Sequence, residues 1–179
     1  TGKSLLLNML AGFYESSSGS ILYDKIPLKN LNKKHTEVGW TLFIGAKVVQ
    51  GTVQENILLG NTQSNTQSII ELSDELGIEN ISNLFSKGFA TEISETDSEL
   101  SFSSKKKVLL LRSLLGEKRL LLLENPMSGM SDQFQEKMIE YLNGLKKHTT
   151  IVVVSSNNKL IRFADQHLHL EDGTLKVIS

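Results

Sequence analysis

The strongest constraint on the fold is an apolar run of four consecutive leucines at positions 120–123, followed directly by Glu124, Asn125 and Pro126. Four leucines without a polar break are too short to span a membrane, and they are typical of a strand that helices cover on both faces. Proline cannot continue a hydrogen-bonded ladder, so the strand is predicted to end there. A carboxylate and an amide therefore stand at the carboxyl end of the sheet, where open α/β folds bind their ligands.

A second landmark is the first tetrapeptide, Thr1-Gly2-Lys3-Ser4, which matches the last four positions of the phosphate-loop pattern G-x-x-x-x-G-K-[ST]. Apolar residues at helical spacing follow it over 3–11, so it is predicted to open a helix whose free N–H groups favour an anion. In that context Lys3 would reach the β and γ phosphates of a nucleotide, and the Ser4 hydroxyl would bind Mg²⁺. A solvated lysine in a capped helix is the alternative. We expect the glycines of the loop, and the strand that feeds it, to precede Thr1.

Composition limits the function classes. The chain has 179 residues, 39% of them hydrophobic and 22% charged, which is typical of one globular domain. A net charge of -1 provides no basic field for nucleic acid. The absence of cysteine excludes disulfides and thiolate metal sites and agrees with a cytoplasmic setting. No apolar run approaches the roughly 18 residues of a spanning helix, so any membrane spans would lie outside this chain.

The remaining pattern predicts short strands alternating with helices. Strands are expected at 20–23, 38–44 and 150–154, helices at 3–11, 67–76, 80–85, about 100–115, about 132–147 and 157–163, and a final hairpin at 167–178. Thr52 and Glu55 form a capping-box pattern that is expected to begin a further short helix.

Two side-chain groups could suggest further ligands. The lysines at 105–107 could contact phosphate, but a solvated helix face is the favoured interpretation. His167 and His169 share one face of a predicted strand and resemble a metal pair, although exposed histidines are favoured because no third ligand is near in the sequence.

The order of these motifs resembles one family, the ATP-binding cassette (ABC) domain, and in particular the nucleotide-binding domain of exporters. The similarity covers essentially the whole chain. The matching stretches are Thr1-Gly2-Lys3-Ser4 for the end of Walker A, Gly51-Thr52-Val53-Gln54-Glu55-Asn56-Ile57 for the exporter segment GT-x-x-ENI, Leu100-Ser101 for the start of the signature helix, 120–126 for Walker B, and Leu170-Glu171-Asp172-Gly173 for the terminal strands.

This resemblance implies a P-loop NTPase-like α/β fold in a single domain at 1–179. It would contain a mostly parallel sheet flanked by helices, a helical subdomain at about 65–113 and a short antiparallel β part, with its first strand or strands missing from the chain. It implies that Thr1, Gly2, Lys3 and Ser4 bind ATP and that Ser4 and Glu124 hold Mg²⁺. The implied partners are a transmembrane domain and a second nucleotide-binding domain, at the cytoplasmic face of the cell membrane, with no nucleic acid.

The sequence also departs from the family pattern. Glu124 replaces the Walker B aspartate, Asn125 the catalytic glutamate and Ser156 the switch histidine. The Q-loop glutamine falls on Phe43 or Ile44, and Phe102 and Ser103 replace the signature glycines. Because general-base assistance contributes roughly 10²–10⁴ in rate, we expect Mg-ATP binding with weak or no hydrolysis, and we assign no catalytic residue.

Two other functions remain open at this point. One is a dimerisation or regulatory module that keeps the fold and binds no nucleotide, in which case Mg-ATP would give neither heat nor a thermal shift. The other is a different P-loop phosphotransferase, such as a kinase, which phosphate transfer to a small acceptor would reveal.

Overall fold

The computed structural model describes residues 2–31, 45–78, 81–97 and 100–178. Within these ranges the helices are α1 (Lys3–Leu10), α2 (Val53–Leu58), α3 (Thr66–Glu75), α4 (Phe102–Leu114), α5 (Asp132–Leu145) and α6 (Asn158–Phe163). The strands are β1 (Leu22–Tyr23), β2 (Ile26–Pro27), β3 (Gly51–Thr52), β4 (Glu92–Ile93), β5 (Leu120–Glu124), β6 (Thr150–Val154), β7 (Leu168–Glu171) and β8 (Thr174–Val177). The strand predicted at 38–44 lies outside the described residues.

The leucine strand is covered on both faces, as predicted. Leu121 and Leu123 belong to the large hydrophobic cluster, whereas Leu120 and Leu122 pack with Leu7 of α1 in a second cluster. Alternate side chains of a strand point to opposite faces, so β5 separates the two clusters. Burying one leucine fully contributes about 1.5–3 kcal/mol, so the four together make β5 a major part of the core.

The α/β class predicted from the sequence is confirmed. Strand β5 pairs in parallel with β6, from Leu120 opposite Thr150 to Glu124 opposite Val154. The other ladders within the described residues, β1–β2, β3–β4 and β7–β8, are antiparallel and short. The predicted terminal hairpin is β7–β8, and it turns at Asp172 and Gly173.

Helix α5 covers the large cluster because Phe134, Met138 and Leu142 repeat every four residues and are buried. Its N-cap is Ser131, whose hydroxyl accepts a hydrogen bond from the Phe134 N–H at 3.3 Å. The helix ends at Leu145, two residues before the predicted end.

The capping box at the start of α2 is confirmed. The Thr52 hydroxyl accepts from the Glu55 N–H at 3.1 Å, and the Thr52 N–H donates to Glu55 Oε2 at 2.7 Å. The hydrogen bond from the Thr52 N–H, and a second from the Thr52 hydroxyl to Glu55 Oε2 at 2.9 Å, hold the pKa of the Glu55 carboxyl below its usual value. The box therefore fixes the start of a short helix that tertiary contacts must hold at its other end.

Those contacts come from Arg112 of α4. Its Nε donates to the Asn56 carbonyl at 2.6 Å, and a terminal nitrogen donates to the Asn56 side-chain oxygen at 2.7 Å. Another terminal nitrogen donates to the Lys47 carbonyl at 3.0 Å. One guanidinium thus joins α4 to α2 and to the segment before it.

The predicted helical subdomain at 65–113 includes α3, nearly all of α4, and the 3-10 segments Ile81–Leu84 and Gly88–Ala90. The helix predicted at 80–85 is described only as the first of these 3-10 segments. The division of this part from the rest of the chain stays a prediction. Over the ranges that the structure describes, no helix has the length and apolarity needed to cross a bilayer.

The packing of α5 against α4 can be tested at Tyr141. Its hydroxyl donates to the Leu114 carbonyl at 3.3 Å, and burial, with a smaller effect from Glu75, raises the pKa of Tyr141 to about 12. Because tyrosine in the unfolded chain ionises near pH 10, the stability that depends on its neutral form is complete below that pH and is lost as the pH rises towards 12. We expect Tyr141→Phe to reduce the fall in the free energy of unfolding between about pH 9 and 11 by about 1 kcal/mol, measured by urea denaturation.

Tyr14→Phe is the control, because it removes the same hydroxyl from a side chain that is 56% exposed. Part of the alkaline fall should persist in Tyr141→Phe, because burial also raises the pKa of Tyr23 to about 12. An unchanged pH dependence in Tyr141→Phe would contradict the assignment.

Candidate functional site

A hydroxyl and a carboxylate meet at the carboxyl end of β5. The Ser4 hydroxyl, in the first turn of α1, donates to Oε1 of Glu124, the last residue of β5, although 120 positions separate them in the sequence. The contact follows from the packing of Leu7 on Leu120 and Leu122, which holds α1 against one face of the strand. Hydroxyl and carboxylate oxygens are the ligands that hard divalent cations prefer.

The beginning of α1 is suited to an anion. Gly2 precedes the helix with a φ of 94°, in the left-handed region that favours glycine. Among the described residues no side chain caps this end, and no acidic residue lies in the first turn, so the first N–H groups and the positive end of the helix dipole could receive a ligand. Lys3 is exposed beside them. Thr1 lies outside the described residues.

These groups fit a magnesium-bound phosphate. The ammonium of Lys3 and the helix N–H groups suit phosphate oxygens, while Ser4 and Glu124 suit the ion. Among the described residues, no group of three or more histidine, cysteine, aspartate or glutamate side chains could hold a metal. His167 and His169 therefore belong to no such group. An ion at Ser4 and Glu124 would therefore complete its coordination with phosphate oxygens and water.

Asn125, the residue after Glu124, lines a polar cavity of about 440 Å³. It lies at the carboxyl ends of β5 and β6, and most of its lining side chains are neutral amides and hydroxyls. They belong to Asn125, Ser128, Gln135, Ser155, Ser156 and Asn157. Because none of these groups ionises near neutral pH, the cavity can donate and accept hydrogen bonds but cannot take up a proton.

The positions that the family resemblance assigns to the catalytic glutamate and the switch histidine, Asn125 and Ser156, both line this cavity. Asn125 has a φ of 45°, which is uncommon for a residue with a side chain, and its N–H extends the β5–β6 ladder by donating to the Val154 carbonyl at 2.8 Å. The structure therefore brings these two positions together, each with a side chain that is not a base.

The far wall of the cavity is held by an amide pair. Asn157 Nδ2 donates to Gln135 Oε1 at 2.8 Å, which joins the loop after β6 to α5. The Asn157 N–H donates to the Ser155 hydroxyl at 3.1 Å. Sequence reasoning did not identify this pair, because no local pattern links residues 22 positions apart.

The interpretation of 105–107 as a solvated helix face is wrong for Lys106. This lysine is only 7% exposed, and its ammonium donates to the Asn125 carbonyl at 3.2 Å and to the Ser128 carbonyl. Lys105 Nζ likewise donates to the Glu95 and Asp97 carbonyls, at 2.8 and 2.9 Å. Main-chain carbonyls of neighbouring turns thus replace water around these two ammonium groups. Burial lowers the pKa of Lys106.

The segment that the family resemblance assigns to the signature stands at the start of α4. Ser101 is the N-cap, with its hydroxyl accepting from the Ser104 N–H at 3.0 Å. Phe102, at a position that the resemblance assigns to a signature glycine, is the first residue of the helix and is 78% exposed, so its aromatic ring faces solvent. Phe43 and Ile44, the positions of the Q-loop glutamine, lie outside the described residues.

Comparison with known proteins gives matches over nearly the whole chain. The family model described as "ABC transporter" matches residues 1–128. The chain is 25% identical over 174 residues to the ABC transporter ATP-binding protein YknV of Bacillus subtilis, covering 97% of this chain and 29% of that protein. It is 29% identical over 174 residues to a Rickettsia felis protein named "Putative export ATP-binding/permease protein", covering 96% of this chain and 30% of that one.

The fold has a close counterpart among solved structures. A bacterial Atm1-family ABC exporter with ATP bound superposes with a TM-score of 0.83 at 20% identity, over 96% of this chain and 30% of that chain. At that identity the likeness establishes the fold alone. The chain spans about 30% of the length of the two relatives and of this structure.

Proposed function

Since this chain belongs to the ABC transporter family, we propose that it is an exporter-type ATP-binding domain that binds Mg-ATP and hydrolyses it slowly or not at all. The observation that carries the proposal is the contact between the Ser4 hydroxyl and the Glu124 carboxylate. It joins α1, which begins at the phosphate-loop motif, to the end of β5, so the residues that would hold phosphate and those that would hold the ion lie together.

The residues present support binding in distinct ways. The Lys3 ammonium and the uncapped start of α1 would hold phosphate oxygens, because both offer positive charge and N–H donors at one place. Ser4 and Glu124 would hold the magnesium ion that accompanies the nucleotide. When bound, that ion neutralises charge on the β and γ phosphates. Glu124 has one more methylene than the family aspartate, and its carboxylate still reaches Ser4.

The residues that surround the reaction centre favour slow chemistry. Asn125 stands where the family has the glutamate that acts on the attacking water, and an amide cannot accept the proton of that water. Ser156, in the position of the switch histidine, is a short neutral hydroxyl on the same cavity. Binding groups are thus retained and proton acceptors are replaced, which predicts occupancy without efficient turnover.

The function of the whole protein is part of the same proposal. The name of the Rickettsia felis relative joins export, ATP binding and permease in one protein, and this chain corresponds to about 30% of it. We infer that the chain acts with a transmembrane domain and with a second nucleotide-binding domain, at the cytoplasmic face of the cell membrane.

The first test is to measure binding and turnover separately. We expect purified full-length protein to bind Mg-ATP in a calorimetric titration, and to hydrolyse it at least about 10²-fold more slowly than a homologue with glutamate at the position of Asn125. Turnover at an ordinary rate would refute slow chemistry. Neither heat nor a thermal shift with Mg-ATP would refute binding and would favour a module that works without nucleotide.

The second test concerns the ion. Glu124→Gln keeps the size of the side chain and removes its charge, so we expect ATP affinity to fall about tenfold with Mg²⁺ present and to change little when EDTA removes the ion. Glu117→Gln is the matched control, because Glu117 is exposed in the turn between α4 and β5. Equal affinity losses with and without Mg²⁺ in Glu124→Gln would argue against a role in holding the ion.

The third test restores a base. Asn125→Glu returns a carboxylate to the residue after Glu124, and we expect it to raise the hydrolysis rate at least about tenfold, measured as phosphate release under saturating Mg-ATP. Gln135→Glu is the matched control, because it adds the same charge to the same cavity at another position. If both variants raised the rate equally, general electrostatics rather than the position of the base would explain the change.

A further inference from the structure

We propose that Lys106 is a positioning residue of the nucleotide site, whose ammonium ties α4 to the turn that forms one wall of the polar cavity. The expected effect on nucleotide affinity rests on the proposed function, whereas the contact of Lys106 with the turn does not depend on it. Lys106 lies in the middle of a run of three lysines, and its neighbours therefore supply matched controls.

Lys106 donates two hydrogen bonds to main-chain atoms of one turn. Its Nζ donates to the carbonyls of Asn125 and Ser128, which lie on either side of Pro126 and Met127. The same turn is closed by the Ser128 N–H, which donates to the Asn125 carbonyl at 3.2 Å. The ammonium of Lys106, a residue of α4, thus bridges the two carbonyls at the ends of the turn that follows β5.

Placing a lysine at this buried position costs free energy, so its charge is expected to do more than fill space in the core. Lys106 is 7% exposed and precedes the buried apolar residues Val108 and Leu110 of α4. Burying an ammonium is unfavourable unless hydrogen bonds compensate, and an apolar side chain of similar length would avoid that cost. The carbonyls provide that compensation, so the cationic head acts on the turn and not only on the core.

The turn that Lys106 holds also shapes the cavity. Asn125, Ser128 and Gly129 all line it, and Asn125 has a left-handed backbone conformation that surrounding contacts must maintain. The cavity lies beside Glu124, which would hold the magnesium ion that neutralises charge on the β and γ phosphates. A disturbed turn should therefore affect ATP, which has the terminal phosphate, more than ADP, which lacks it.

The experiment compares Lys106→Met, which keeps the length of the side chain without donors, with Lys106→Arg, which keeps charge and donors. Lys107→Met is the matched control, because it removes the same charge from the next residue of the same helix. Amide hydrogen exchange of nucleotide-free full-length protein is followed by mass spectrometry over the peptide that contains 125–131. The affinities for Mg-ATP and Mg-ADP are measured by calorimetry.

We expect Lys106→Met to speed exchange at the Ser128 and Met130 amides, which close the turn by donating to Asn125 and Met127. We expect the ratio of ATP to ADP affinity to fall roughly tenfold, the effect of losing hydrogen bonds from a charged donor. Lys107→Met should match the natural protein in both measurements, and Lys106→Arg should retain most of both properties.

Several results would overturn the inference. If amide exchange were unchanged in Lys106→Met, the ammonium would not hold the turn, regardless of the nucleotide affinities. Faster exchange with an unchanged ratio of ATP to ADP affinity would show that Lys106 has no role at the nucleotide site. Equal effects in Lys107→Met would show that net charge, and not the contact of Lys106 with the turn, causes the changes. If the natural protein bound no Mg-ATP, the proposed function would fail, and exchange would still decide whether the tie exists. Should Lys106→Met fail to fold, Lys106→Gln, with a shorter neutral head, takes its place.

Discussion

The register of β5 against β6 is the constraint on which the rest of the site depends. In most strands a one-residue shift of register turns the apolar side chains to solvent and costs free energy. Four consecutive leucines present apolar side chains to both faces of the strand in either register. The ends must therefore fix the register: the Thr150 N–H donates to the Arg119 carbonyl at 2.8 Å, and the Asn125 N–H donates to the Val154 carbonyl at 2.8 Å. Pro126 prevents a further rung. In this register Glu124, opposite Val154, is the last residue of β5 and meets Ser4.

The proposed site would separate two tasks that an ATP-hydrolysing enzyme combines. Holding a triphosphate needs positive charge, N–H donors and an ion, and Lys3, the start of α1, Ser4 and Glu124 can supply these. Cleaving it needs a group that takes a proton from water, and Asn125 offers only an amide. Interactions that hold bound nucleotide equally well before and during reaction lower the dissociation constant without accelerating chemistry. The neutral cavity beyond Glu124 is therefore consistent with binding that is decoupled from turnover.

Local patterns in the sequence predicted much of the fold, because they arise from interactions between near neighbours. The apolar spacing of α5, the capping box of Thr52 and Glu55, and the leucine strand each depend on a few consecutive residues, and the structure confirms them. The meeting of α1 and the end of β5 was expected from the phosphate-loop motif together with the strand-end carboxylate, and from resemblance to a family, since no local rule joins residues 120 positions apart. The Asn157–Gln135 pair was missed for the same reason. Lys106 was misjudged although helical spacing held a clue: Leu110 and Leu114, four and eight residues later, are buried.

Slow cleavage, as proposed, would change what bound ATP does for the protein. In an active site the time for which nucleotide remains bound is set by hydrolysis, whereas here it would be set by dissociation. A ligand that binds only the folded state stabilises it by RT ln(1 + [L]/Kd), about 2.7 kcal/mol when the ligand is present at about 100 times Kd. Uncleaved ATP would contribute this stabilisation continuously, and it would act across the Ser4–Glu124 contact, where α1 meets β5. The nucleotide would then serve as a lasting part of the fold, and any regulation by this domain would follow ATP concentration and not catalytic cycles.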